Sequence, residues 1–236
     1  MLIQKLIEKQ STMWTIRQQL DETHLNPGCC ILDGIPYGPC LLISREHGSG
    51  GTVVAKALGE RLGWNMYDRE IVAQIADSEH VQKKLIESVD EKVRTRWEST
   101  WRQMLFPEDV STERYLRCLH DVILTLGHNG DVIILGRGAQ YLLPARCSLR
   151  VRLIAPLEKR AQRVSENQRL SITEAVAFVQ RIDKEQTHFI QKYFHSDLSA
   201  PQNYDLVLNT DDFSVEGTVN VVLKALEAKL GVTCPV

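Results

Sequence analysis

Residues 41–52 contain the residue types and spacing that most clearly indicate chemistry. The apolar run Leu41–Ile43 is followed by Ser44 and Arg45, and then by Gly48-Ser49-Gly50-Gly51-Thr52. Glycines let the backbone turn its amide groups toward one point, and a helix that begins there adds its positive dipole end. A turn of this kind binds anions, phosphate above all. The sequence therefore predicts a phosphate-binding loop between a strand and a helix.

The loop departs from the common pattern G-x-x-x-x-G-K-[ST]. When Gly50 and Thr52 are aligned with the second glycine and the hydroxyl position, Arg45 stands at the first glycine and Gly51 at the lysine. A positive charge for a bound phosphate must then come from elsewhere, and we expect it from Arg45 or from an arginine farther along the chain. Taken alone, the stretch is equally compatible with a glycine-rich turn that binds nothing.

The rest of the chain alternates short apolar runs with helical stretches. The runs are Leu41–Ile43, Trp64–Tyr67, Val132–Leu135, Leu149–Ala155 and Leu206–Leu208. Helical patterns lie at about 51–62, 68–127, 157–195 and 215–230. Because no tight hairpin joins these five runs, the pattern predicts a parallel central sheet with helices on both faces.

Polar residues follow the predicted strands at the edge where such sheets bind ligands. Arg45 follows the first strand, Asp68 and Arg69 the second, and Arg137 the third; Arg160 and Arg163 come after the fourth. A guanidinium group binds phosphoryl oxygens through two parallel hydrogen bonds. For each arginine alone a surface ion pair is the favoured interpretation, but their shared placement beside the glycine loop reverses this and favours an anion site.

Five segments together resemble the cytidylate kinase-like family, a branch of the P-loop nucleoside monophosphate kinases. In chain order they are Ile43–Gly51, Tyr67–Glu70, Ile134–Ala139, Ile154–Arg160 and Tyr204–Thr210. The resemblance covers about residues 40–230 and implies a three-layer P-loop fold. It also implies a helical monophosphate-binding insert at about 68–128 and a helical lid at about 157–195. The kinase-like domain would then span 39–236, after an N-terminal helical extension and linker at 1–38.

The same resemblance implies transfer of a phosphoryl group from ATP to a nucleoside monophosphate, CMP or dCMP first, with Mg²⁺. The phosphates of ATP would bind the loop residues His47, Gly48, Ser49, Gly50, Gly51 and Thr52, and the Thr52 hydroxyl would be a magnesium ligand. The acceptor would be bound by Asp68, Arg69, Arg137 and Asp183. The catalytic cations would be Arg45, Arg137, Arg160, Arg163 and Arg181. No protein nucleophile is required, because such transfer depends on positioning and charge neutralisation.

Three departures keep a second function open. Gly51 replaces the loop lysine, no acidic residue directly follows the run Val132–Leu135, and Gln186 stands where the family often has an arginine. The alternative is a catalytically impaired, kinase-like protein that binds nucleotides and acts through a protein partner. Base preference cannot be read from the sequence.

Composition and charge restrict the other partners. The 236 residues carry a formal net charge of −2, which argues against a general nucleic-acid binder. No apolar run is long enough to span a bilayer, so we expect a cytoplasmic protein with no membrane partner. The six cysteines show no spacing that indicates zinc or a disulfide framework. Apolar residues at helical spacing in residues 1–20 predict a helix that packs on its own domain or on a second copy of the chain, and less readily on a different protein.

Overall fold

The structure is a computed structural model that describes residues 28–32, 34–77, 85, 89, 93 and 110–233. Its strands are β1 (Cys30–Leu32), β2 (Ile35–Tyr37), β3 (Cys40–Arg45), β4 (Asn65–Tyr67), β5 (Val132–Leu135), β6 (Ser148–Ile154) and β7 (Leu206–Asn209). Its helices are α1 (Gly51–Leu62), α2 (Arg69–Asp77), α3 (Val110–Asn129), α4 (Ala139–Leu142), α5 (Leu157–Gln168), α6 (Ile172–Phe194) and α7 (Val215–Leu230). The helix expected in residues 1–20 lies outside the described residues.

The central sheet has five strands in the order β4-β5-β3-β6-β7, and every neighbouring pair is parallel. Strand β3 lies in the middle, with Leu41 opposite Ile133 on one side and Leu149 on the other. Its first five residues are buried, as expected for a strand covered on both faces. The predicted α/β fold with a parallel central sheet is confirmed.

Side chains alternate along β3 and so divide the core into two layers. Leu41 and Ile43 pack with residues of α1 and α7, among them Leu58 and Val222. Cys40 and Leu42 face the opposite layer, which includes residues of α2 and α3. This arrangement fixes the end of β3, where Ser44 and Arg45 stand, between the two helical layers.

Helices α5 and α6 form a helical hairpin within the segment expected to be a lid. Arg169 ends α5 in the left-handed conformation (φ 56°), and Ser171 begins α6 with a capping box to Glu174. The two helices pack on each other through a small buried cluster of Ala161, Val164, Ala175 and Val179. The hairpin therefore has an apolar core of its own.

The glycine- and proline-rich stretch before β3 folds as the antiparallel pair β1–β2. The amide of Gly38 donates to the carbonyl of Gly127 (3.1 Å), which links this stretch to α3. Cys30 and Cys147, 117 residues apart in sequence, form a disulfide with Cα atoms separated by 5.5 Å. The expectation of no disulfide is therefore wrong for this pair. Among the described helices, none has the length and apolar character needed to cross a membrane.

Candidate active site

The loop between β3 and α1 is fixed by short hydrogen bonds. The amide and hydroxyl of Ser49 both donate to the carbonyl of Glu46 (3.2 and 2.8 Å), and the hydroxyl of Thr210 donates to the carbonyl of Ser49 (2.8 Å). Gly50 has a φ of 83°, which favours glycine, and then α1 begins. Four amide groups of the loop donate no hydrogen bond within the described residues; they belong to Gly48, Gly50, Gly51 and Thr52.

These amide groups lie along a cleft of about 950 Å³. Arg163 and Asn167 of α5 line the cleft on one side, and Arg69 and Glu70 line it on another. Phe213, 46% exposed, also lines it. A cleft that combines unpaired amides with cationic side chains and an exposed aromatic ring suits a nucleotide, whose phosphates and base need both kinds of surface.

A second, smaller pocket of about 140 Å³ lies next to the large cleft. Its polar lining includes Ser44 and Gln140, and its apolar lining includes Phe189, Ile190 and Leu198. The end of β3, the short helix α4 and the C-terminal half of α6 therefore all contribute to it. A pocket of this volume accommodates part of a small ligand but not a whole ATP molecule.

Four side chains line both the large cleft and the small pocket, and three of them are cations. They are Arg45, Arg69, Arg137 and Gln186. Asp68 also lines the large cleft, and its carboxylate accepts hydrogen bonds from the amides of Glu70 and Ile71 (3.0 and 2.9 Å) at the start of α2. The boundary between the two spaces is thus strongly cationic.

Arg137 reaches this boundary through an uncommon turn. Gly136, Arg137 and Gly138 all have positive φ angles, 83°, 59° and 70°. Such a conformation is strained for arginine, and strain of this kind concentrates at functional sites. The Arg137 guanidinium lies over the ring of Phe189, 5.5 Å from its centroid, which places α6 against the turn.

Arg160 is buried, and protein oxygen atoms already occupy its guanidinium group. It donates to the carbonyls of Ala155 (2.9 Å) and His47 (3.2 Å) and to a carboxylate oxygen of Asp183 (2.6 Å). The other carboxylate oxygen of Asp183 accepts the amide of His47 (3.1 Å). Both residues therefore hold the glycine loop to α6, and we remove them from the groups expected to contact phosphate and acceptor.

The two other candidate arginines of the α5–α6 hairpin differ in position. Arg163 lines the large cleft and donates to the carbonyl of Thr210 (2.9 Å), so it stands beside the loop but is partly occupied. Arg181 is exposed, pairs with Glu185 (2.7 Å) and does not line either pocket. The structure therefore does not bring Arg181 to the phosphate region, and we remove it from the candidate set as well.

His47 contributes its backbone to the loop and places its ring against α6. The ring lies edge-on to Phe178, with centroids 5.3 Å apart. Burial, reinforced by the positive charges of Arg45 and Arg160 and opposed by Asp183, lowers the pKa of His47 below its usual value. At neutral pH the ring is therefore predominantly uncharged and is not a source of positive charge for phosphate.

Sequence reasoning missed a buried cation behind the small pocket. Arg152 lies within strand β6 and is only 7% exposed. Its Nη1 donates to the hydroxyl of Ser44 (2.7 Å), and its guanidinium lies 5.9 Å from the ring centroid of Tyr204. An arginine between Val151 and Leu153 in a predicted core strand was the available signal, because such a residue is rarely buried without a specific partner.

Comparison with known proteins identifies the family of this chain. A model of the cytidylate kinase-like family matches residues 41–212, nearly three quarters of the chain. The chain belongs to the cytidylate kinase-like family. The resemblance seen in the five sequence segments is confirmed by this match.

Individual relatives of this cytidylate kinase-like protein agree with the family match. It is 26% identical over 201 residues to a cytidylate kinase of Methanopyrus kandleri, covering 80% of this chain and 94% of that protein. It is 24% identical over 197 residues to a cytidylate kinase of Pyrococcus horikoshii, covering 79% and 88%. An uncharacterized protein from Eubacterium ventriosum has the same fold, with a TM-score of 0.63, 18% identity, and coverage of 80% of this chain and 98% of that one. Together the family and relatives support nucleotide phosphoryl transfer as the general activity.

Proposed function

We propose that this cytidylate kinase-like protein transfers the γ-phosphoryl group of ATP to a nucleoside monophosphate, with CMP or dCMP as the first candidates. The observation that carries the proposal is the cationic boundary shared by two pockets of unequal size. A donor in the large cleft and an acceptor in the small pocket would meet at Arg45, Arg69 and Arg137. The relatives from Methanopyrus kandleri and Pyrococcus horikoshii are cytidylate kinases, which supports the choice of acceptor.

The donor would bind along the large cleft. Its phosphates would accept hydrogen bonds from the unpaired amides of the glycine loop, and the first turn of α1 would add its dipole. The base would contact the exposed apolar side chains of Phe213 and Val215, which line the same cleft. This division matches the two chemical halves of ATP.

A magnesium ion fits the loop through Thr52, which is exposed in the first turn of α1 and lines the cleft. A hydroxyl oxygen suits Mg²⁺, which takes few protein ligands and completes its octahedron with phosphate oxygens and water. The described residues contain no cluster of three or more His, Cys, Asp or Glu side chains able to hold a metal. When bound, the ion would neutralise phosphate charge.

The transfer itself needs no covalent protein intermediate. An oxygen of the acceptor phosphate forms a bond to the γ-phosphorus while the bond from that phosphorus to the β–γ bridging oxygen breaks, and ADP leaves. The protein aligns the two nucleotides and neutralises the charge on the moving group through Arg45, Arg69 and Arg137. The apolar wall of Phe189, Ile190 and Leu198 limits water beside the acceptor.

One observation favours the alternative of an impaired, regulatory protein. Gln186 stands at the shared boundary, where an arginine would have added a fourth cation. A boundary with fewer positive charges would slow phosphoryl transfer while leaving nucleotide binding intact. The two functions therefore differ in turnover and not in ATP affinity.

A coupled ADP-release assay with Mg²⁺ and a panel of acceptors distinguishes the kinase from the regulatory protein. The panel contains CMP, dCMP, UMP, AMP, GMP and a sugar phosphate, and we expect turnover that is fastest with CMP or dCMP. No turnover with any acceptor, despite ATP binding in calorimetry, would support the regulatory alternative and contradict the kinase.

Variants of Arg137 extend this assay to the acceptor side. Arg137→Ala should raise the acceptor KM by about 10- to 100-fold and leave ATP affinity unchanged. Arg137→Lys should restore only part of the acceptor affinity, because lysine keeps the charge but cannot form the two parallel hydrogen bonds of a guanidinium group. Arg61→Ala, an exposed position in the last turn of α1, is the matched control. Unchanged constants in Arg137→Ala would remove this residue from the acceptor site.

A further inference from the structure

The glycine at position 51 and the arginine at position 45 compete for the same space. A Cβ atom built on Gly51 would lie 2.7 Å from Cγ and 2.8 Å from Cβ of Arg45. These distances are too short for carbon atoms in contact, and the obstacle is the base of the Arg45 side chain, which cannot move without the backbone or a new rotamer. A lysine in the usual loop position is therefore incompatible with Arg45 as it lies here.

The Arg45 side chain extends from this point to the end of β5. Its Nη1 lies 2.7 Å from where a Cβ atom of Gly136 would be, so the glycine at 136 leaves room for the guanidinium group. Within the described residues the group has no hydrogen bond and no ion pair. It is a cation held in place by packing and not by a protein acceptor.

The charge of Arg45 persists at neutral pH. Burial lowers the pKa of Arg45 to about 10, Asp68 opposes this, and Arg69, Arg137 and Arg152 add to it. A pKa of about 10 still leaves the group protonated at pH 7. The neighbouring cations also mean that an anion bound at this place would relieve their mutual repulsion.

We propose that Arg45 replaces the loop lysine, with its stem in the space above Gly51 and its guanidinium on the phosphoryl group at the boundary of the two pockets. The inference rests on the proposed function and names the cation that the loop lacks. The other candidates fit less well, because Arg160 is occupied, Arg181 is remote and Arg163 is tied to Thr210. Unlike a lysine in the loop, Arg45 lines both pockets and would contact donor and acceptor together.

The steric half of the proposal is that the Arg45 side chain and a lysine at position 51 exclude each other. It is tested by thermal unfolding, without any ligand. Gly51→Lys should lower the melting temperature by about 5 °C in the otherwise unchanged chain and in the Arg45→Met background, which keeps the stem. In the Arg45→Gly background, which removes both Cβ and Cγ, the same change should lower it by less than about 2 °C. Val53→Lys, at an exposed position in the same turn, should have the same small effect in all three backgrounds. Equal losses for Gly51→Lys everywhere would overturn the steric half.

The charge half is tested by calorimetry with ATP and with ADP in the presence of Mg²⁺. Arg45→Gly and Arg45→Met should each weaken ATP binding by about 30-fold and ADP binding by much less, because a charge-assisted pair to the γ-phosphate is lost. Arg45→Gly combined with Gly51→Lys should restore ATP affinity to within about fivefold of the unchanged chain. Undiminished ATP affinity in Arg45→Gly, or no recovery in the double variant, would overturn the proposal.

The two proposals fail in different ways. A chain that binds ATP with this dependence on Arg45 and transfers phosphate to no acceptor would overturn the proposed function alone. A chain that binds no ATP would overturn both.

Discussion

At the scale of single residues, neighbouring arginines differ in what already occupies their guanidinium groups. Arg160 is held by two carbonyl oxygens and by Asp183, whereas Arg45 has no acceptor among the described residues. Residues of the first kind stabilise the loop, and residues of the second kind are available to a phosphate. The distinction depends on side-chain contacts, which residue type alone does not specify.

Glycines at the two ends of α1 allow a matched test of the loop. Gly50 and Gly63 both have left-handed backbone (φ 83° and 68°), and a Cβ atom on either would meet no other atom within 4 Å. Gly50→Val and Gly63→Val should therefore each cost about 1–2 kcal/mol of stability. Only Gly50→Val should abolish ATP binding in calorimetry, because its side chain blocks the approach of phosphate to the backbone. Equal ATP affinity in both variants would separate the loop from nucleotide binding.

At the scale of elements, the hairpin of α5 and α6 is attached to the glycine loop by a few charged contacts. Arg160 of α5 contacts Asp183 of α6 and Glu46 of the loop, at 2.6 and 3.4 Å. The amide of His47 completes the connection to Asp183. Any movement of the hairpin relative to the loop would have to break these contacts or displace the loop with it.

Substitution of Arg160 should destabilise the protein far more than substitution of Arg181. Arg160→Met removes the hydrogen bonds to the carbonyls of Ala155 and His47 and the positive charge beside the carboxylates of Asp183 and Glu46, and should lower the free energy of unfolding by about 2–4 kcal/mol. Arg181→Met removes only an exposed i,i+4 pair with Glu185 and should change it by less than about 0.5 kcal/mol. Urea unfolding of both variants provides the measurement. Similar values for the two would mean that Arg160 does not hold the loop to the hairpin.

Strands β6 and β7 and helix α7 are linked by Asp205, and this link should depend on pH. Burial alone would raise the pKa of Asp205, but hydrogen bonds from Arg150 and Lys229 prevail and lower it to about 2. Since the pKa is about 3.9 in the unfolded chain, the link stabilises the fold above that pH and is lost as the pH falls toward 2. The side chain is partly exposed, so we expect about 1–2 kcal/mol.

Urea unfolding between pH 6 and pH 2 measures this contribution. Asp205→Asn should be less stable than the unchanged chain at pH 6, and the difference should shrink as the pH falls below about 4. A difference that stays constant across this range would contradict a role for the ionised carboxylate.

At the scale of the whole molecule, the sequence predicted the features that depend on neighbouring or regularly spaced residues. The five core strands, the glycine loop and the helices α1 and α7 follow from apolar runs, glycines and helical spacing, and the structure confirms them. The disulfide of Cys30 with Cys147 could not be predicted, because the two cysteines are 117 residues apart and only the fold brings them together. The contacts of Arg160 with Asp183 and of Arg181 with Glu185 could not be predicted either, since both depend on how α5 and α6 pack.

We propose that ATP and the nucleoside monophosphate bind in two pockets that meet at the cationic boundary. The most direct test of this proposal is calorimetry with a bisubstrate molecule in which adenosine and cytidine are joined 5′ to 5′ by five phosphates. If the two pockets meet as described, this molecule should bind one per chain, compete with both ATP and CMP, and have a Kd at least about 100-fold below that of ATP. A Kd no lower than that of ATP, with no competition by CMP, would contradict the account.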